Sequence, residues 1–127
     1  MRRLHFILGC FTVIAFLITG QLMRHHSPPL DTMSDGMRLL YRSRHIYILA
    51  AGLLHLILGI YWRSFDGRRQ HLQTAGSLLL ATSVPLLISA FFVEPARGQL
   101  AATPWSHYGL YALFGGTMLH ALCAPKR

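Results

Sequence analysis

The chain has 127 residues, eight of them histidine, with 12 Lys and Arg against 4 Asp and Glu and a net charge of +8. That length implies one domain. Its hydrophobic residues fall into four blocks, roughly Leu4–Met23, His45–Trp62, Leu72–Val93 and Trp105–Cys123, and every Asp, Glu, Lys and Arg lies outside them. Blocks without a polar face exclude a soluble helical bundle, whose helices would carry one. Nucleic-acid binding is excluded by the spread of basic residues over all loops and both ends, which is how charge beside a membrane is distributed.

A bilayer core about 30 Å thick needs ~20 helical residues to cross it. The first block follows Arg2 and Arg3, which would also suit a cleaved signal peptide. Its apolar run Phe6–Leu22 is longer than a signal core, and Ile18-Thr19-Gly20 lacks a small residue where cleavage needs one, so a retained first helix is expected. Leu8-Gly9-Cys10 resembles a lipoprotein cleavage site only faintly, because the apolar run continues past it; Cys10 is expected as a small core residue. With Cys123 also inside an apolar block, no disulfide and no metal spacing is expected.

Ser27-Pro28-Pro29 breaks the chain after Arg24-His25-His26. Ser34 is the expected N-cap of a helix through Met37–Arg44, an interfacial stretch with Arg38 and Arg42 reaching the headgroups. It feeds the second membrane helix, which ends in the aromatic pair Tyr61-Trp62 before Arg63. Asp66-Gly67 signals a turn. The third helix contains Pro85, which removes one backbone hydrogen bond; Ser83, Ser89 or a neighbouring helix can satisfy the freed carbonyl. Glu94-Pro95 is expected to stop it. Thr103-Pro104 has the form of an N-cap followed by proline at the first helical position, opening the fourth helix.

In an up-down arrangement seven Lys and Arg (Arg2, Arg3, Arg63, Arg68, Arg69, Lys126, Arg127) share one side and five (Arg24, Arg38, Arg42, Arg44, Arg97) the other. That excess places both termini in the cytoplasm. Lipid supplies no hydrophobic drive for helix association, so close backbone approach must. Small residues recur every seven positions: Gly52 and Gly59, with His45 in register; Gly76, Ser83 and Ala90; Gly109 and Gly116, with Ala112 on the same side. Seven-residue spacing keeps one seam toward a partner in a left-handed bundle.

The histidines divide into two groups. His5, His25, His26 and His71 lie at block edges or in loops and are expected at the membrane interface. His45 and His107 open the second and fourth helices and should share one interface, with His55 about 15 Å and His120 about 20 Å deeper. His55 stands between Gly52 and Gly59, and His120 is four residues past Gly116, so both lie on the small-residue seams. Three roles suit such a pair: a hydrogen-bonded pin worth roughly 1 kcal/mol, axial ligation of one b-type haem, or proton or quinol chemistry. Two stacked haems are disfavoured, since His107 and His120 diverge by ~140° and His45 and His55 by ~80° around their helices.

Phosphate-loop, zinc-protease, Cys-x-x-Cys and nucleophile-elbow motifs are absent from the sequence. All four carboxylates fall in expected loops, leaving few acid–base candidates. The expectation is therefore an all-α, membrane-embedded four-helix up-down bundle with a short interfacial helical stretch before the second helix. It forms a single domain over 1–127, with helices at about 4–23, 37–62, 71–93 and 104–123. The expected function is that of a small multi-pass protein of the bacterial inner membrane, an accessory or interaction subunit with no catalytic site of its own. The alternative is a membrane electron carrier holding haem b between His55 and His120. Expected partners are the lipid bilayer and other membrane-protein subunits or a second copy, with no nucleic acid and no metal.

Overall fold

A computed structural model describes residues 1–97 and 103–123. Four helices make the fold: α1 (Arg2–Arg24), α2 (Asp35–Ile60), α3 (Arg68–Arg97) and α4 (Pro104–Cys123), with a single 3-10 turn at Leu30–Thr32 and no strand among the described residues. By length and composition α1, α2 and α3 can each cross a membrane, and α4 is not among these. The fourth apolar block holds no charged residue but is interrupted by polar and small ones. His107 and His120, Tyr108 and Tyr111, and a Gly-Gly pair dilute its 20 residues.

The expected interfacial stretch and second membrane helix are one continuous helix. Ser34 precedes it in extended conformation at the N-cap, without a side-chain bond to the helix. Asp35 lies in its first turn and forms an ion pair with Arg38. Tyr61 closes α2 through its N–H on the Ile57 carbonyl, so Trp62 lies just outside. Gly67, at φ 61, takes the left-handed conformation that lets the chain turn into α3.

Glu94-Pro95 does not stop α3, which runs on to Arg97 with both Pro85 and Pro95 inside it. Contacts of Glu94 with Arg44 and Ser106 hold this last turn. Near Pro85 the hydroxyl of Ser83 and Nε2 of His55 converge on the carbonyl of Leu80. That is one residue before Ala81, whose carbonyl Pro85 leaves without its helical donor. At α4 the Thr103 carbonyl accepts the N–H of His107 at 3.2 Å, which places Thr103 at the N-cap and Pro104 first in the helix.

The helices pack as two hairpins, α1 with α2 and α3 with α4, joined mainly along α2 and α3, while α1 and α4 scarcely touch. Each hairpin has its own glycine seam. A Cβ at Gly52 would meet Val13 and Thr12, and one at Gly59 would come within 2.7 Å of the Phe6 backbone. In the other hairpin Gly76 and Gly116 face each other's carbonyls, and Gly109 lies against Leu87. Ser83 is buried, whereas Ala112 is only half-buried. A compact cluster of Ala51, Leu80, Leu87 and Leu113 joins the hairpins. Cys10 is half-buried rather than a core residue; Cys123 is buried with its thiol on the Arg69 carbonyl at 3.4 Å, and both are free thiols.

Candidate functional site

Up-down topology gathers the start of α1, the end of α2, the start of α3 and the end of α4 at one end of the bundle. Each contributes one polar side chain to its interior. His5 Nδ1 lies 2.8 Å from His55 Nδ1, and His5 Nε2 lies 2.9 Å from the Ser77 hydroxyl. The same hydroxyl is 3.2 Å from His120 Nε2, and His55 Nε2 is 3.1 Å from the Leu80 carbonyl. The indole of Trp62 covers the cluster, its ring 5.4 Å from His5 and 5.9 Å from His120. His5, His55 and Ser77 are fully buried.

This chain of contacts has only one consistent proton arrangement when the rings are neutral. No carboxylate is hydrogen-bonded to them among the described residues, and an unpaired buried cation is costly. A carbonyl only accepts, so His55 Nε2 must carry the proton and His55 Nδ1 must be a lone pair. His5 therefore donates from Nδ1 and accepts at Nε2. Ser77 donates its single proton to His5 and accepts from His120 Nε2–H. His120 is left with Nδ1 as an acceptor lone pair. Three tautomers on three helices are thus set by one backbone carbonyl on a fourth element, in line with the way a second hydrogen bond fixes a histidine's tautomer.

His55 and His120 lie in one neighbourhood. They are not face to face: His5 and Ser77 stand between them. Axial histidines present nitrogens to one iron from opposite sides of a macrocycle. Here every ring nitrogen of the cluster except His120 Nδ1 is already hydrogen-bonded, so the arrangement does not fit a haem. No group of three His, Cys, Asp or Glu residues among those described is disposed to hold a metal ion.

His5 is the largest departure from the sequence reading. It was expected at the interface and is instead the hub of the cluster. The signal was present: His5, Thr12 and Thr19 repeat every seven residues along α1 and are all buried, with Gly9 on the same side. Ser77 similarly shares the stripe of Gln73 and Leu80, both buried. His45 and His107 lie at the same end of the bundle, next to Arg44 and Ser106 that both bond Glu94, but make different contacts. His45 sits in the α1–α2 hairpin, stacked on Phe16 at 4.0 Å and hydrogen-bonded to Thr19 at 3.0 Å. His107 is exposed beside Tyr111. His25 and His26 make local contacts with the Gln21 and Pro28 carbonyls, and His26 also pairs with the Tyr41 hydroxyl.

A second polar knot lies at the opposite end. Glu94, expected in a loop, belongs to α3 and is fully buried. Its carboxylate accepts Arg44 Nε–H at 2.7 Å and the Ser106 N–H at 2.8 Å, and the Ser106 hydroxyl also donates to it. Ser106 is the third residue of α4, so Glu94 satisfies a free N–H of that helix from another element. Arg44, at the end of the stretch expected to be interfacial, is only 7% exposed and turns inward. Among the described residues every buried side-chain nitrogen and oxygen has a partner.

Comparisons of the chain with known protein families, with curated proteins and with solved structures find no match.

Proposed function

We propose that the chain is a small multi-pass protein of the bacterial inner membrane, with both termini in the cytoplasm, acting as an accessory or interaction subunit. The observation that carries this reading is the contrast between a closed interior and an open exterior. The interior polar groups are spent on one another, joining all four helices at one end and α2, α3 and α4 at the other. The outer face of α4 carries Tyr108, Tyr111, Phe114, Met118 and Leu122, all exposed and spaced by three or four residues on one stripe. A stripe of large side chains beside Gly115 supports seating against another membrane helix rather than lipid alone. Orientation is supported by the burial of Arg44 against Glu94. Counting Arg44 as compensated inside the bundle leaves Arg24, Arg38, Arg42 and Arg97 on that side against seven basic residues on the other.

The test is native electrophoresis of mildly solubilised membranes containing the chain. The proposal expects migration well above the 14.3 kDa of one chain and its detergent. That migration should collapse toward a single copy when Tyr111 and Phe114 are both changed to Ala. Migration as one copy in both forms refutes the reading. The visible spectrum of the purified protein from haem-replete cells decides the alternative. Soret and α bands lost on both His55→Ala and His120→Ala would establish the electron carrier in its place.

A further inference from the structure

Beside the histidine cluster lies an open cavity of about 220 Å³, lined by Leu58, Tyr61, Trp62, Arg63, Phe65, Gln73 and His120. Drug-sized pockets begin at about 300 Å³, so there is room for a single ring. Trp62, Tyr61 and Phe65 supply aromatic walls, and Leu58 an apolar one. His120 lines this space; its Nε2 is 3.2 Å from the Ser77 hydroxyl, and its Nδ1 has no hydrogen-bond partner among the described residues. The proton arrangement derived above makes Nδ1 an acceptor. It becomes a donor only by giving up the bond between Nε2 and Ser77 or by reversing every bond back to the Leu80 carbonyl.

The geometry points to a binding site for an amphipathic phenol or hydroquinone: an aromatic ring held among Trp62, Tyr61 and Phe65, whose hydroxyl donates to His120 Nδ1. The site lies at the end of α2, where the chain leaves the apolar segment, so a ligand's alkyl tail can remain in lipid along Leu58. Arg63 at the rim donates to any further ring oxygen. The locked tautomer gives the site a discrimination that an ordinary histidine would lack. A ring with a hydroxyl donor is accepted, whereas the same ring offering only acceptor oxygens, such as an ether or the quinone form, meets a lone pair. A histidine free to move its proton would serve both. This inference does not depend on the chain working inside a larger complex.

Trp62 and Trp105 are the only tryptophans, so the W105F variant makes Trp62 the sole reporter. The experiment titrates this variant in phosphatidylcholine nanodiscs with 4-decylphenol and with 4-decylanisole, which differ only by methylation of the hydroxyl. A saturable change in Trp62 emission is expected for the phenol. The anisole should bind about tenfold more weakly, the factor expected for one lost hydrogen bond in a desolvated site. Ser77→Ala in the same background removes the acceptor that holds His120 Nε2–H and frees the tautomer. The phenol-to-anisole ratio should then fall toward one. Equal binding of the two probes without the Ser77 change, or no saturable response to either, overturns the proposal. So does a ratio unaffected by Ser77→Ala in a folded variant. If Ser77→Ala does not fold, the comparison of the two probes still decides it.

Discussion

Glu94→Gln is the most informative single substitution. The Gln oxygen can still accept the Ser106 N–H, so the start of α4 keeps its donor satisfied. What is lost is the negative charge beside Arg44, whose side chain is only 9% exposed against a Glu94 side chain that is 0% exposed. An exposed pair would be worth at most ~1 kcal/mol. Removing one partner of a buried pair leaves an uncompensated charge and costs ~3–5 kcal/mol. Arg44 also reaches Ser43 at 2.7 Å and lies 5.9 Å from the Tyr47 ring, which offsets part of the loss. A destabilisation of about 3 kcal/mol is therefore expected. Arg44→Leu alone should cost less, since Glu94 keeps both donors from Ser106. The double variant Arg44→Leu with Glu94→Gln removes both charges and should recover most of the loss, with a coupling energy of at least about 2 kcal/mol in the range for groups in one network. Equilibrium unfolding by SDS in mixed micelles measures all three, with Trp105, next to Ser106, as a local probe. Additive effects, or a Glu94→Gln cost under about 1 kcal/mol, would show that the pair is solvated and the buried-pair reasoning wrong.

Neighbouring glycines make a sharp packing test. A Cβ at Gly116 would lie 2.7 Å from the Gly76 carbonyl, whereas one at Gly115 meets nothing closer than Leu79 at 3.8 Å. Gly116→Ala should therefore force α3 and α4 apart and cost ~1–3 kcal/mol, while Gly115→Ala should be neutral or slightly stabilising, both read by the same SDS titration. Nitrogen-15 NMR of labelled histidine should find His5 protonated on Nδ1 and both His55 and His120 on Nε2; the opposite tautomer at His5 would break the proposed chain of donors. His5→Phe keeps a ring under Trp62 but strands His55 Nδ1 and removes an acceptor from Ser77. A loss of ~1–3 kcal/mol is expected, and retention of full stability would refute the view of His5 as the hub.

The architecture was legible because its cause is local. Four apolar blocks without charge, separated by Ser27-Pro28-Pro29, Asp66-Gly67 and Thr103-Pro104, leave helices as the only way to satisfy backbone groups in an apolar medium. Gly52, Gly59, Gly109 and Gly116, spaced by seven in their helices, each lie where a Cβ would crowd the neighbouring helix. His5 was less legible. At the edge of an apolar block beside Arg2 and Arg3, it has the sequence context of an interfacial residue. Only its register with Thr12 and Thr19 hinted otherwise, and seeing that required knowing which face of α1 is covered. Glu94 was misleading for a related reason. A Glu-Pro pair ordinarily ends a helix, and nothing local reveals that Arg44, fifty positions away, will neutralise the acid and hold the turn.

The sequence by itself determined the helical class, the helix ends to within a few residues at most sites, and the presence of polar residues on tightly packed faces. Composition and periodicity act within one element, and those properties depend on little else. Only the tertiary structure decided which polar residues meet. His55 was paired with His120 by depth along parallel helices, yet the hydrogen bonds run through His5 and Ser77 on two other helices. Hydrogen-bond partners are set by the rotation and crossing of helices, to within a fraction of an ångström. That precision comes from side-chain packing between elements, which no single segment of the chain contains.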